Sequence, residues 1–287
     1  MNHSLCRLGL RVPDLAASVE HVSSVLGLEA VACAEDGVEE LALPGREPCL
    51  TLIAADAASL DHIALRTEAR NLAEVARRAR VHGHRVEETD DALYLRAPNR
   101  LAIELRAGPP PAPNRVSRER GPLITGLDHV SLAAEDLHGT VAFFEEVLGF
   151  RRSDSVADKR HWLRCGPHHH TVAVFEGADT LHHYAFATAD IGEVSKLGNL
   201  LAVRGDNFLW GPGRHALGAN IFSYHLDPAG AILEVCSDMI EVADEGSWEY
   251  RVWPAEGLTS AVMWGPPPPA GFRDAAVPIY AHNGAQG

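Results

Sequence analysis

Histidine stands out among the residues that can do chemistry. Sixteen occur in the 287-residue sequence, ten of them between Gly121 and Ile240. Neutral imidazole ligates metals and carries protons near neutral pH. His129, His183 and Glu234 combine into one arrangement, two imidazoles and one carboxylate with open coordination positions, which suits non-haem Fe(II) as a facial triad. A lone histidine on a strand is most often structural. This trio is informative because an internal repeat sets its members in register on three strands of one sheet.

The repeat supplies the elements that position them. Arg7-Leu-Gly-Leu-Arg-Val-Pro-Asp14 matches His129-Val-Ser-Leu-Ala-Ala-Glu-Asp136. Leu60-Asp-His-Ile-Ala-Leu-Arg-Thr67 matches Leu181-His-His-Tyr-Ala-Phe-Ala-Thr188, and Ala97-Pro-Asn-Arg-Leu-Ala-Ile-Glu104 matches Asp227-Pro-Ala-Gly-Ala-Ile-Leu-Glu234. The three matches come in order, about 120 to 130 residues apart. Each copy opens with a period-two strand. Asp14 or Asp136 then sits at an N-cap, its oxygen placed to accept from the first helical turn. Helices follow over about Leu15–Val25 and Leu137–Val147, each with a glycine suited to a left-handed cap after its last turn. Further helices are expected near Ala69–His82 and Ile191–Val203. Pro and Gly turns close the last hairpins.

The fold expected is α+β, with βαβββ written four times as two similar domains and the metal site in the second. The boundaries read as residues 1–108 for a domain without metal, 109–120 for a Pro-rich polar linker, 121–240 for the metal domain and 241–287 for a tail. Copy one offers Arg7, His62 and Glu104 where copy two offers His129, His183 and Glu234. Arginine stays charged and does not ligate metals, so His62 reads as structural and one metal site is expected. Alternation along the strands turns His182 and His225 to the face opposite His183 and Tyr224.

Here the sequence resembles the two-domain type I extradiol ring-cleaving dioxygenases of the vicinal oxygen chelate superfamily (glyoxalase/bleomycin-resistance/dioxygenase fold), of the catechol or homoprotocatechuate 2,3-dioxygenase kind. The resemblance covers nearly the whole chain and is strongest from Leu127 to Asp238. It rests on Gly211-Pro-Gly-Arg-His215, Asn220-Ile-Phe-Ser-Tyr-His-Leu-Asp-Pro-Ala-Gly230, Ile232-Leu-Glu234, Leu181-His-His-Tyr-Ala-Phe186 and Leu127-Asp-His-Val130. It implies His129, His183 and Glu234 as ligands of Fe(II), with Mn(II) able to use the same set, and O2 as co-substrate. A further histidine lies among His168, His169 and His170. The pattern His-Thr-x-Ala, and Trp162 eight residues earlier, favour His170 for acid–base work. His215 and Tyr224 would bond the substrate, and Trp162, Trp210, Asn220 and Arg214 are the remaining candidates for its pocket. Trp162 and Trp210 fit a core as readily as a pocket wall.

Substrate class follows from one departure. The homoprotocatechuate type has an arginine before Gly-Pro-Gly-Arg-His, and this chain has Trp210. A flat apolar surface disfavours a carboxylate and favours a neutral, alkylated or halogenated catechol. Arg251 or Arg214 offers a cation for the alternative, a carboxylated catechol. The tail from Gly246 to Phe272 carries Trp248, Tyr250, Trp253 and Trp264 and resembles the family's C-terminal lid.

Composition narrows the partners. Net charge is −14, the wrong sign for a nucleic-acid protein. No apolar run approaches the roughly 18 residues of a membrane helix, and the first residues lack a secretory pattern. Five scattered cysteines without Cys-x-x-Cys spacing exclude a disulfide framework and a thiolate zinc site, so a reducing cytoplasm is expected. The resemblance implies a homo-oligomer, dimer or tetramer. Two competing readings are a metal-dependent isomerase or lyase of glyoxalase type and a metal-free binding protein. The intact trio argues against the second.

Overall fold

In the computed structural model the described residues are 1–287 except 32, 34, 117, 120, 244, 245, 247, 256–261, 273 and 283–287. The first repeat copy runs β1 (His3–Val12), α1 (Leu15–Val25), β2 (Glu29–Val31), β3 (Val38–Ala42), β4 (Pro48–Ala54), β5 (Ser59–Thr67), α2 (Ala69–Val81), β6 (Val86–Glu88), β7 (Ala92–Arg96) and β8 (Ala102–Ala107). The second runs β9 (Ile124–Ala134), α3 (Leu137–Ala142), β10 (Arg151–Val156), β11 (Arg160–Arg164), β12 (Val172–Glu176), β13 (Thr180–Thr188), α4 (Ile191–Arg204), β14 (Trp210–Arg214), β15 (Ile221–Leu226) and β16 (Ile232–Ser237). Each copy is one sheet: β2-β3-β4-β1-β5-β8-β7-β6, and β14-β15-β16-β13-β9-β12-β11-β10. In each βαβββ unit the last strand returns parallel to the first, giving the pairs β1–β4, β5–β8, β9–β12 and β13–β16. The two units of a sheet join antiparallel through β1–β5 and β9–β13. This is the tandem α+β architecture expected from the repeat.

Local chemistry explains the helices. Asp14 accepts from Ala17 N, Asp136 from Gly139 N, and Asp190 from Gly192 N and Glu193 N, filling orphan donors of the first turns. Gly27 and Gly149 turn the chain out of the helices at φ +75° and +74°. The helix expected through Val147 instead tightens into α3 and then widens to a π-helical turn over Phe143–Val147. Leu148 N bonds back to Phe143 O at 3.2 Å. The wider turn lets the consecutive Phe143 and Phe144 both face the core, each 2 % exposed or less.

Helices and inner sheet faces share one apolar core across both copies, from Leu8 and Leu50 to Val130 and Phe186. A smaller cluster of Trp210, Phe222, Tyr224, Ile232 and Phe272 lies on the other side of the second sheet. After β16, β17 (Arg251–Trp253) adds to the edge at β10, and β18 (Val277–Pro278) pairs with β13. Ile279 then bridges to Leu60 of the first copy. Among the described residues no helix is long and apolar enough to cross a membrane.

Two strand irregularities matter for function. Ala185 pairs with His129 but Phe186 pairs with Leu127, so Asp128 is an extra residue; Leu181 pairs with Leu132 and His183 with Ser131, so His182 is another. Cys6 and Asp61 are extra at the matching places of the first copy. Such bulges re-aim side chains.

Candidate active site

Strands β16, β13 and β9 are consecutive neighbours in the second sheet. They carry Glu234, His183 and His129, which are 0 %, 7 % and 1 % exposed. His129 Nε2 lies 3.1 Å and His183 Nε2 3.2 Å from Glu234 Oε2, and the two nitrogens are 3.3 Å apart. Three donors on one face of an octahedron, about 2.2 Å from an ion, are about 3.1 Å apart. The triangle therefore matches a facial site for one divalent metal.

The electrostatics ask for a cation at the same place. At His129 burial opposes a charge, yet the Glu234 and Asp128 carboxylates overcome it and raise the pKa to about 10. Burial also opposes the Glu234 charge, but His129 and His183 hold this carboxyl well below its usual range. At His183 burial wins and the pKa falls to about 3, which leaves a neutral nitrogen able to ligate.

Each ligand is oriented from behind, as metal-binding groups require. The bulge at Asp128 sets Oδ2 2.6 Å from His129 Nδ1, so Nδ1–H donates to Asp128 and Nε2 is the atom turned toward Glu234. Glu234 Oε1 accepts from Asn220 Nδ2 at 3.2 Å, which leaves Oε2 turned to the two imidazole nitrogens. His183 is oriented by a relay. His182 Nε2 donates to Phe272 O at 3.0 Å, so its Nδ1 accepts from His183 Nδ1–H at 2.7 Å. The Nε2 lone pair of His183 then points inward.

His182 thus corrects the strand-alternation expectation. The bulge breaks the period of two, and His182 lines the same cavity as His183. His225 does face away, with Nε2 3.3 Å from His21 Nε2 of the first copy.

Of His168, His169 and His170, the last lines the cavity and the other two do not. Its ring centroid is 4.5 Å from that of His129. A second relay fixes its tautomer: His169 Nε2 donates to Asp154 at 3.1 Å, so His169 Nδ1 accepts from His170 Nδ1–H at 3.1 Å. Burial, then the charges of His129 and His169, push the His170 pKa well below 6.5. His170 is a neutral imidazole with a free lone pair at Nε2. His168, by contrast, is half-exposed and reaches Asp128 Oδ1 at 3.2 Å.

His215 Nε2 and the Tyr224 hydroxyl are 2.9 Å apart. Burial, then Glu234, pushes the Tyr224 phenol well above its usual pKa, so it stays a donor. Trp210 stacks on Tyr224 with centroids 5.3 Å apart and planes 9° from parallel. Phe272 closes edge-on against Trp210 at 4.7 Å. With Trp162 and Phe175 they wall a cavity of about 620 Å³ that contains the trio, His170, His215, Tyr224 and Asn220, within the range of small-molecule sites.

Arg214 does not belong to the cavity lining. Its guanidinium is committed to Ala219 O and, at 2.9 Å, to the Asp238 carboxylate. The expected substrate cation is therefore a loop brace. Arg251 lies on the edge strand β17 and does not line the cavity either. The cations on the described wall are Lys159 and Arg160, and Lys159 is paired with Glu176 at 2.8 Å. Asn220, expected to bind substrate, lines the cavity but spends its amide on Glu234. Within the expected lid, residues 247 and 256–261 lie outside the described set. Trp248 donates to Ser153 O, and the Tyr250 hydroxyl meets Ser155 Oγ. Asp128, His182, Asp154 and Phe272 were missed by sequence reasoning. Their roles depend on bulges and on a distant tail residue, which leave no periodic signal.

Residues 126–235 match the Glyoxalase/Bleomycin resistance protein/Dioxygenase superfamily. The chain is 34% identical over 149 residues to metapyrocatechase 2 of Cupriavidus necator, a match covering 51% of this chain and 46% of that one. It thus spans about half the length of that relative. It is 24% identical over 289 aligned positions to the manganese-dependent 2,3-dihydroxybiphenyl 1,2-dioxygenase of Geobacillus genomosp. 3, covering 90% and 91% of the two chains. Among solved structures, the Mn(II)-bound glyoxalase from Novosphingobium aromaticivorans superposes with a TM-score of 0.82 at 26% identity, over 93% of this chain and 92% of that one.

Proposed function

We propose that the chain is an extradiol dioxygenase, a reading supported by the match of residues 126–235 to the Glyoxalase/Bleomycin resistance protein/Dioxygenase superfamily. It opens the ring of a catechol-type diol with O2. The observation that carries this reading is the triangle of His129, His183 and Glu234 with His170, His215 and Tyr224 around one cavity. A glyoxalase needs a metal and a base, whereas this site adds two hydrogen-bonding groups and a neutral histidine.

Fe(II) is the proposed metal, and Mn(II) fits the same ligands. Held by His129, His183 and Glu234, it would supply Lewis acidity and a route for electrons between the diol and O2. The chain's own groups do the rest. His170 Nε2 is free to take a proton from the diol and later return it, because burial keeps the ring neutral. The Tyr224 hydroxyl and His215 form a fixed pair that hydrogen-bonds oxygen atoms of the substrate. Trp210, Phe272 and Trp162 line the cavity and exclude water from it.

The proposed substrates are neutral: catechol with hydrogen, alkyl or halogen substituents. Trp210 is packed by the aromatic rings of Tyr224 and Phe272, and a carboxylate against those faces would lose hydration. Protein loaded anaerobically with Fe(II) is mixed with catechol, 4-chlorocatechol or homoprotocatechuate, and O2 uptake and visible absorbance are followed. The expected result is one O2 consumed per yellow ring-opened product, with homoprotocatechuate slowest. Stoichiometric iron with no O2 uptake on any diol would overturn the oxygenase reading and favour a glyoxalase-type proton transfer, which the Novosphingobium neighbour supports.

A further inference from the structure

A second cluster of ligating side chains lies in the same module on the other face of the sheet. It joins α3, the β10–β11 turn and β11 through His138, Asp158 and His161. His161 neighbours Trp162 on β11. Trp162 lines the substrate cavity, so alternation turns His161 away from it. His161 is 1 % exposed, yet neither ring nitrogen has a hydrogen-bond partner among the described residues. A buried imidazole left unsatisfied is costly and calls for an explanation.

The geometry supplies one. His161 Nε2 is 3.6 Å from Asp158 Oδ1, and His138 Nε2 is 3.7 Å from Asp158 Oδ2. Both are too long for hydrogen bonds. The ligand atoms all lie within 4.8 Å of one another. Donors about 2.0–2.1 Å from a tetrahedral ion sit roughly 3.3 Å apart, so small rotations of the exposed His138 and Asp158 side chains close the set. We propose that His138, Asp158 and His161 form a second divalent-metal site, with Zn(II) as the best-matched ion and water in the fourth position. Two imidazoles and one carboxylate suit Zn(II) and rank it above Mn(II) and Fe(II) at an unspecialised site. A metal here would tie α3 to the hairpin that carries Lys159, Arg160 and Trp162, three residues of the cavity wall.

The test uses the untagged full chain, dialysed against Zn(II) and analysed for bound metal. Wild type is expected to hold two ions per chain. His138→Ala and Asp158→Ala, both at exposed positions that tolerate truncation, are expected to hold one, with affinity at the second site at least tenfold weaker. His183→Ala is expected to hold one as well, the one lost by the other two variants. Anomalous scattering at the zinc edge should place an ion between His138, Asp158 and His161. One ion in wild type, or two in either His138→Ala or Asp158→Ala, would overturn the proposal.

Discussion

The two repeat copies place the same three strands side by side and build opposite chemistry on them. In the second copy His129, His183 and Glu234 converge at one point on the wall of a cavity. In the first, the Arg7 guanidinium lies where His129 would be and bonds Glu104 at 2.9 Å and Glu40 at 3.1 Å. The carboxylate is kept in both, and each gets a positive charge beside it. A guanidinium brings that charge covalently, and an imidazole pair leaves it to a metal. His62 completes the contrast. Its ring packs on Gly9, where a Cβ would clash with it, and its Nδ1 turns to Asp61 at 2.9 Å. The aligned position in copy two is Ser131, and His183 there points inward instead. The tail also covers the first copy: Tyr280 lies on Arg11 at 3.6 Å, and His282 donates to Asp61 O. A duplicated scaffold thus keeps the candidate site in one copy and makes the other a packed support.

The sharpest break of this comparison is the same change made in both copies. Glu234→Ala should remove bound Fe(II) and lower kcat by at least on the order of 10³-fold, whereas Glu104→Ala should leave the iron content at one per chain. Iron analysis beside O2 uptake decides it, and equal losses in both variants would refute the division of labour. The next largest effect belongs to His170, whose place in the first copy the strand register gives to Pro48. His170→Ala should keep the iron and lose roughly 10²–10⁴-fold in kcat. Loss of iron instead would make it a ligand-shell residue. Asp128→Asn keeps the shape of the bulge but weakens the acceptor for His129 Nδ1–H. Metal affinity should fall roughly 10–100-fold, read by competition with a chelator. Asp61→Asn, at the bulge facing His62, should not alter it.

How much of this was legible beforehand follows from what each feature depends on. The repeat, the Asp caps at Asp14 and Asp136, and the trio of His129, His183 and Glu234 depend on local residue type and order, so they can be read along the chain. His182 could not be read, because a bulge shifts it to the face that alternation denies it. Arg214 was misassigned because its charge was visible but its partner Asp238, on the far side of a hairpin, was not. The π-helical turn at Phe143–Val147 arises from burying two adjacent phenylalanines, a tertiary demand that overrides helical period.

A direct attempt to convert one copy into the other is Arg7→His, which restores His, His and Glu by type in the first. Metal should stay at the wild-type content, because His62 faces Asp61 and Gly9 rather than Glu104. Stability should fall by about 1–3 kcal/mol, since Glu104 and Glu40 lose a partner in a mostly buried site. Thermal unfolding with iron analysis measures both, and an iron ion gained in the first copy would show that residue type alone separates the copies.

The smallest effect lies where the copies meet. His21 and His225 are buried against each other across the interface. Burial, then the Arg204 charge, lowers the His21 pKa to about 4; burial, then His21, lowers that of His225 to about 3. The unfolded chain protonates both near pH 6.5, whereas the folded chain does not until far lower pH. Between those values the unfolded state binds more protons, so acid destabilises the fold. The loss approaches about 1.4 kcal/mol per pH unit per histidine below pH 6.5, and it vanishes above it. Melting temperatures from pH 7.5 to 5 should fall for the wild type and fall less for a His21→Leu/His225→Leu protein, while His3, lowered to about 4 by burial against its bond to Leu148 O, contributes equally to both. Parallel curves would mean that the interface opens before its histidines titrate, and that the first copy holds the second less firmly than the packing implies.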